Sequence, residues 1–430
     1  MPTLEQFDRY FTGVILFLLP AVSVLASKGV VPVLVLLSVG LVLFDLVSKG
    51  HVHLPRLSRA PALILAAFLG WLFLSLFWSQ LPEKDVFLVV RLFGLIVCAL
   101  FLTESLRNRD EAARQRLLKV LGIGVLLGLF ILLLENQADS PLTRLLKDKD
   151  FSEEVNPSRF NFGSVFVSCL GWFLLAQNAD RLDLKKSLAL LLALTAFPFF
   201  TASESAKLAS ILAFTWYVLF RFVPLPSTHV LKFLVLISFV SLPIASQTAW
   251  QAIGPQIPDN MPDSAHHRLF IWSYVSDMVM KKPLEGFGID ASRHHENSPE
   301  EGYVSIEKTG EISGQDDALP LHPHNAAIQI WYELGVVGVL IVLAGLSLLI
   351  DATRQSMIPG TGKNRKSDLL FQSTFVFLFI ISMLSWGIWQ NRWFAGLIFF
   401  AVLLFSFPLR EKASRSAIAT EKTVEPVIKA

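Results

Sequence analysis

The chain has 430 residues, 53% of them hydrophobic and only 17% charged, with a mean hydropathy of +0.55. Soluble domains carry roughly 25% charged residues, so the composition excludes an ordinary soluble globule and points to an integral membrane protein. Lysine plus arginine (37) nearly balance aspartate plus glutamate (35), which gives no electrostatic reason to expect a nucleic-acid partner.

Twelve apolar segments follow in order, near 11–27, 30–48, 61–79, 85–103, 117–135, 161–178, 186–201, 205–223, 230–247, 326–350, 368–387 and 392–409. Each approaches the ~20 residues a helix needs to cross a bilayer. Their continuous apolarity argues for helices, because barrel strands alternate. The first run has no basic stretch before it beyond Arg9 and no clear cleavage site, so it reads as a span and not as a signal peptide. The expected fold class is an all-α polytopic membrane protein with twelve transmembrane helices and one large, partly helical loop between the ninth and tenth. The expected organisation is helices 1–9 over 1–247, a loop domain over 248–325, helices 10–12 over 326–409 and a tail over 410–430.

Orientation follows from the basic residues beside the spans. Lys49, Arg56 and Arg59 flank one connection, and Arg107, Arg109, Arg114, Arg116 and Lys119 the next of that parity. Arg181, Lys185 and Lys186 follow, then Arg354, Lys363, Arg365 and Lys366, then Arg410, Lys412 and Arg415 in the tail. All share one side if both termini are cytoplasmic, and the large loop then faces outward. The two cysteines, Cys98 and Cys169, lie in apolar spans and leave the loop without a disulfide or cysteine-metal framework.

The loop is punctuated by Pro255, Pro258, Pro262 and Pro320. Residues 268–280 place apolar side chains at helical spacing, which predicts an amphipathic helix ended by Lys281-Lys282-Pro283. The stretch 290–320, rich in Glu, Gly and Ser, has no pattern that sets its fold.

Four groups of residues invite chemistry. His322-Pro323-His324-Asn325 falls at the outer mouth of the tenth span, with Asn325 near the N-cap and Gly335 and Gly338 further down the helix. An imidazole there can take a proton near neutral pH; it also reads as a loop histidine beside an ordinary cap. Arg268 offers a planar fork for phosphate, and the Gly286-Phe287-Gly288 turn after it can aim backbone amides at an anion; a solvated arginine and a plain turn fit equally. Lys207 lies three residues after Glu204 between spans seven and eight, either paired with it or turned to a substrate. Arg91 sits inside the fourth span, facing a cavity or snorkelling to headgroups.

The loop also holds His266, His267, His294 and His295, but none has the helical spacing of common zinc sites, so no metal is expected. Asp316 and Asp317 are candidates to orient a histidine or bind an acceptor sugar.

Two stretches carry a resemblance. Arg268-Leu269-Phe270-Ile271-Trp272 through Pro283-Leu284-Glu285-Gly286-Phe287-Gly288 is similar to an Arg-x-x-x-Trp … Pro-Leu-x-Gly-x-Gly segment. His322-Pro323-His324-Asn325 with Glu333-Leu334-Gly335-Val336-Val337-Gly338 is similar to a His-x-His-Asn … Glu-Leu-Gly-x-x-Gly signature. Together, in a polytopic chain, they resemble the O-antigen ligase family, part of a group with O-antigen polymerases and bacterial O-oligosaccharyltransferases.

The resemblance implies an inverting, metal-independent glycosyltransferase of the bacterial inner membrane with its site facing the periplasm. Its donor is a glycan on undecaprenyl diphosphate, its acceptor a sugar hydroxyl of the lipid A core or another glycan, and it needs no cofactor. By the same resemblance His324 is the base and Arg268 grips the diphosphate, with Lys207, Arg91, His322 and Asn325 as substrate-binding candidates. One departure stands out. The family's Ser-Arg pair at the outer junction here reads Ser203-Glu204, leaving Lys207 or Arg91 to supply that charge. A polymerase joining lipid-linked repeats, transfer to protein hydroxyls and, in another class, a secondary transporter are the competing readings; no inverted repeat supports the last.

Overall fold

In the computed structural model the described residues are 4–147, 154–256, 261–296, 302–306, 312–354 and 365–408. The tail 410–430, with Arg410, Lys412 and Arg415, and the loop residues Pro258 and Lys363 lie outside them.

The chain is a helical bundle. Helices α1 (Leu4–Leu25), α2 (Val30–Lys49), α3 (Arg59–Ser75), α4 (Pro82–Arg107) and α5 (Glu111–Gln137) come first, then the short α6 (Pro141–Lys147). α7 (Asn161–Gln177), α8 (Leu184–Ala196), α9 (Glu204–Phe222) and α10 (Ser227–Ile253) lead to the loop, which holds α11 (Asp263–Lys281). α12 (Ala326–Ala352), α13 (Arg365–Leu384) and α14 (Asn391–Ser406) complete the bundle. The expected loop helix is α11, five residues longer at its start than the pattern indicated. The stretch without a pattern contains a 3-10 turn, Ala291–His294, and an antiparallel pair, β1 (Tyr303–Ile306) and β2 (Ile312–Asp316), with Tyr303 opposite Asp316.

A helix accompanies each of the twelve predicted segments, but not every one reaches span length. Among the described residues, nine helices are long and apolar enough to cross a membrane. α8 has 13 residues and α14 has 16. At about 1.5 Å per residue these fall short of a ~30 Å hydrocarbon core. α9 carries Glu204, Lys207 and Arg221 within 19 residues. The chain is a multi-pass membrane protein.

Polar contacts tie the connections together at the ends of the bundle. Arg109 pairs with Asp8 at 2.7 Å, Ser105 with Asp45 at 3.0 Å, and Lys232 with Asp351 at 2.7 Å. Lys366 donates to the Ala179 carbonyl at 2.9 Å and Arg365 to that of Phe220 at 2.9 Å. These contacts gather the basic connections at one end of the bundle. At the opposite end Arg392 meets Ser27 at 3.0 Å, Ser385 meets Ser205 at 2.8 Å, and the large loop docks. α7 runs through the middle: Phe162, Phe166, Trp172 and Cys169 are fully enclosed. Both cysteines are free thiols inside helices, as their setting predicts.

Candidate active site

The site begins with a break in α12. Gly335 has φ 62 and ψ −167 inside that helix, a conformation open only to glycine. The break frees the Tyr332 and Glu333 carbonyls, which accept from the Phe287 and Gly288 amides at 2.8 and 2.9 Å. Val336 donates in return to the Pro283 carbonyl at 2.8 Å, and the Trp71 indole to that of Leu334 at 2.9 Å. Gly286, at φ 72, leaves no space either: a Cβ would stand 2.6 Å from the Glu333 carbonyl carbon. The two glycine motifs therefore interlock. This corrects the expectation that the Gly286–Gly288 amides face an anion. Gly286 donates to Lys282 at 3.1 Å and the other two amides cap the broken helix, so all three are committed to protein carbonyls.

Glu333 lies at the centre of this joint, fully buried. Its carboxylate accepts from Ser292 Oγ at 2.5 Å, the Asp290 amide at 2.9 Å, Gln329 Nε2 at 2.9 Å and the Trp389 indole. A buried charge is tolerable only with its acceptor sites filled, and here four donors fill them. Across the turn His294 Nε2 meets Asp85 Oδ1 at 2.9 Å, and Ser79 Oγ donates to the same buried carboxylate. The turn Ala291–His294 is thus fixed to α12 on one side and to the start of α4 on the other. The ligand atoms of Asp85, Asp290 and His294 lie within 4.8 Å of one another, a spacing a cation can use. Here their lone pairs and protons already serve each other, Ser79 and Arg293.

His324 stands beside this joint. Asn325 caps α12 as its position predicts, accepting from the Ile328 amide at 3.1 Å. His324 has φ 55, a left-handed conformation that costs a non-glycine residue on the order of 1 kcal/mol. Three contacts hold it there. The Trp272 indole of α11 donates to the Pro323 carbonyl at 2.8 Å, the His324 amide donates to His322 Nδ1 at 3.2 Å, and His324 Nδ1 meets the Ser385 carbonyl at 2.5 Å. A carbonyl only accepts, so Nδ1 carries the proton and Nε2 keeps its lone pair. Burial holds the imidazole below the usual histidine range; the Ser385 carbonyl works against that shift, while Arg268 and His267 add to it. The ring is therefore a neutral base whose Nε2 has no hydrogen-bond partner among the described residues.

His322 differs. It is 7% exposed, its Nε2 meets the Gln390 side-chain amide at 3.0 Å, and burial beside His324 and Arg293 pushes it down to about 3. Gly387 makes room for it, since a Cβ there would stand 2.9 Å from the ring.

Arg268 lies one helical turn before Trp272 on α11, within Coulombic range of His324. Burial lowers its pKa, yet a guanidinium remains charged. Among the described residues no carboxylate, carbonyl or hydroxyl accepts from it. Arg268 is thus close enough to act electrostatically on His324.

The remaining candidates have partners of their own. Lys207 Nζ is 2.6 Å from Glu204 Oε1 at the start of α9, the pairing their spacing suggested. That helix end is linked to the site through Ser205 and Ser385, 2.8 Å apart. Arg91 is within Coulombic range of Asp290 and Arg293 on the pinned turn. His266 is held by Tyr303 at 2.8 Å and the Gly254 carbonyl at 2.9 Å, and His295 meets Tyr274 at 2.9 Å. Asp316 stands 3.8 Å from His267, so the histidine it orients is not His324; Asp317 is exposed.

The pattern missed Glu333, Asp85, Ser385 and Arg293. An acid inside an apolar run is itself a signal, and Glu333 carried it. The Asp85–His294 contact spans 209 positions and leaves no local trace.

Comparison with known proteins closes on the same region. Residues 188–343 match the family model described as O-antigen ligase, a stretch that contains Arg268, the interlocked glycines, His324 and Glu333. A protein of Rickettsia bellii described as a "putative polysaccharide ligase" is 29% identical over 345 residues, 78% of this chain and 78% of that protein. Proteins of the same description from Rickettsia conorii and Rickettsia typhi are 33% and 34% identical over 141 residues. Those alignments cover 33% of this chain and about a third of each relative, 31% and 32%.

Proposed function

We propose that the chain, whose residues 188–343 match the O-antigen ligase family model, transfers a glycan from undecaprenyl diphosphate to a sugar hydroxyl of a lipid A core. The observation that carries this reading is the pairing of a neutral imidazole, its Nδ1 proton held by Ser385, with a half-buried guanidinium that has no protein acceptor among the described residues. One is arranged to take a proton and the other to receive an anion.

In the proposed reaction the acceptor hydroxyl gives its proton to His324 Nε2 as its oxygen bonds to the anomeric carbon. The bond from that carbon to the diphosphate oxygen breaks on the opposite face, so the centre inverts. The electron pair leaves with the diphosphate, where Arg268 meets the growing charge. The imidazolium then returns its proton to water. The scheme uses protein groups alone.

Two apolar cavities support a lipid-borne substrate. One of about 190 Å³ and one of about 390 Å³ flank α12, and both are lined by Ile330 and Ile388, next to the Gln390–His322 contact. A polyprenyl tail in such a channel keeps its diphosphate at the height of His324. The loop end of the bundle then faces the periplasm from the inner membrane, with the basic connections cytoplasmic.

The polymerase reading uses the same base and clamp, so the acceptor decides. Deleting the gene in its native host and resolving the lipopolysaccharide by electrophoresis separates the two. Loss of attached glycan while long lipid-linked chains persist is the expected result. Chains cut to one repeat but still attached overturn the ligase reading in favour of a polymerase.

A further inference from the structure

We infer that Arg293 is a second diphosphate-binding residue, projected over the site by the turn whose other residues are pinned. The inference rests on the donor proposed above and names a group that the family pattern does not supply.

The turn alternates. The Asp290 amide and the Ser292 hydroxyl are tied to Glu333 at 2.9 and 2.5 Å, and His294 is tied to Asp85 at 2.9 Å. Ala291 and Ser292 are buried, and the His294 side chain is 10% exposed. Arg293 alone points outward, its side chain 43% exposed. It donates through Nε to Asp290 Oδ2 at 3.1 Å, and among the described residues its two terminal nitrogens have no acceptor. That geometry aims a guanidinium while leaving its outer edge free, the edge that grips phosphate oxygens side by side.

Its direction matters as much as its freedom. Arg293 acts electrostatically on His322, as Arg268 does on His324, and the two imidazoles are 4.2 Å apart. The turn and the rings also share one anchor: Glu333, which ties the turn, takes the Trp389 indole, and His322 meets the next residue, Gln390, at 3.0 Å. A diphosphate has two phosphoryl groups, and one guanidinium matches only one of them. The other basic candidates are less available. Lys207 is held by Glu204, and Arg91 lies within the fourth helix, under the electrostatic influence of Asp290 and Arg293. Two buried acids, Glu333 and Asp85, are thus used to immobilise the turn that carries this arginine.

The test compares undecaprenyl diphosphate with undecaprenyl monophosphate as probes, binding each to the full chain in lipid nanodiscs. The wild type is expected to prefer the diphosphate. Arg293→Ala should weaken diphosphate binding about tenfold, as loss of a charge-assisted pair does, and leave monophosphate binding within about twofold. Arg293→Lys should recover part of the preference, since it restores charge without the fork. Arg268→Ala should weaken both probes. An unchanged preference in Arg293→Ala overturns the assignment, and so does an equal loss for both probes, which marks a purely structural role. If the wild type itself shows no preference for the diphosphate, the proposed donor fails first, and Arg293 falls with it.

Discussion

Two walls of the candidate site are built on opposite terms. On the wall formed by Pro283–His294 and the break in α12, polar groups find partners: Glu333 accepts four hydrogen bonds and the Gly286–Gly288 amides are all taken. On the wall formed by α11 and His324, a guanidinium and an imidazole nitrogen stand in partly buried surroundings with no protein partner among the described residues. Unpaired polar groups cost free energy when buried, so they persist where a ligand completes them. The first wall holds shape, with the outer edge of Arg293 its one open group among the described residues, and the second is arranged to bind.

Substitutions can break this division at either wall. The largest expected effect is on the open side. His324→Asn keeps a residue tolerant of the left-handed conformation but removes the base, and transfer should fall about 10²–10⁴-fold while the protein accumulates normally in membranes. Transfer at the wild-type rate removes His324 from the chemistry. On the closed side, Gly335→Ala forces a Cβ into the Leu284 backbone at positive φ. It should cost about 3 kcal/mol or more, read as loss of the folded protein in detergent, whereas normal thermal stability would show that the interlock carries no load.

Arg268→Lys should lower transfer roughly 10–100-fold by losing the fork, with stability near wild type because no protein acceptor is lost. The pH dependence sharpens the same point. Burial lowers the His324 pKa, so the neutral base survives acidification and the acid limb of the rate profile should lie below the ordinary histidine value. Arg268→Gln removes a charge that depresses that pKa and should move the limb upward; an unmoved limb would separate the two residues. His322 titrates near 3 when folded, so its share of stability is complete above the unfolded histidine range and fades as pH drops through that range towards 3. The smallest effect is expected at Lys207. It is already paired with an exposed Glu204, and Lys207→Ala should change transfer less than about fivefold.

Much of the bundle was legible because lipid demands long apolar runs, and the amphipathic period of 268–280 fixed α11 in advance. The Asn325 cap was legible from chain position, as was the Glu204–Lys207 pair from helical spacing. Length misled at α8, where residues after Ala196 that look like a span form a 3-10 turn over Phe197–Phe200. The joint was invisible because its parts meet only in three dimensions. Nothing near Asp85 announces His294, and nothing near Gly286 announces the carbonyl of Glu333. His324 was found through its motif, but the group that sets its tautomer, the carbonyl of Ser385, belongs to backbone and has no side-chain signature.

The break at Gly335 also sets what can be exchanged between relatives. The extramembrane segment and the first three turns of the following helix share one hydrogen-bond register, through Pro283, Phe287 and Gly288 on one side and Tyr332, Glu333 and Val336 on the other. A chimaera that swaps residues 254–325 alone would meet a foreign socket. The transferable cassette runs on past Gly338, so donor–acceptor preferences should travel with that helix.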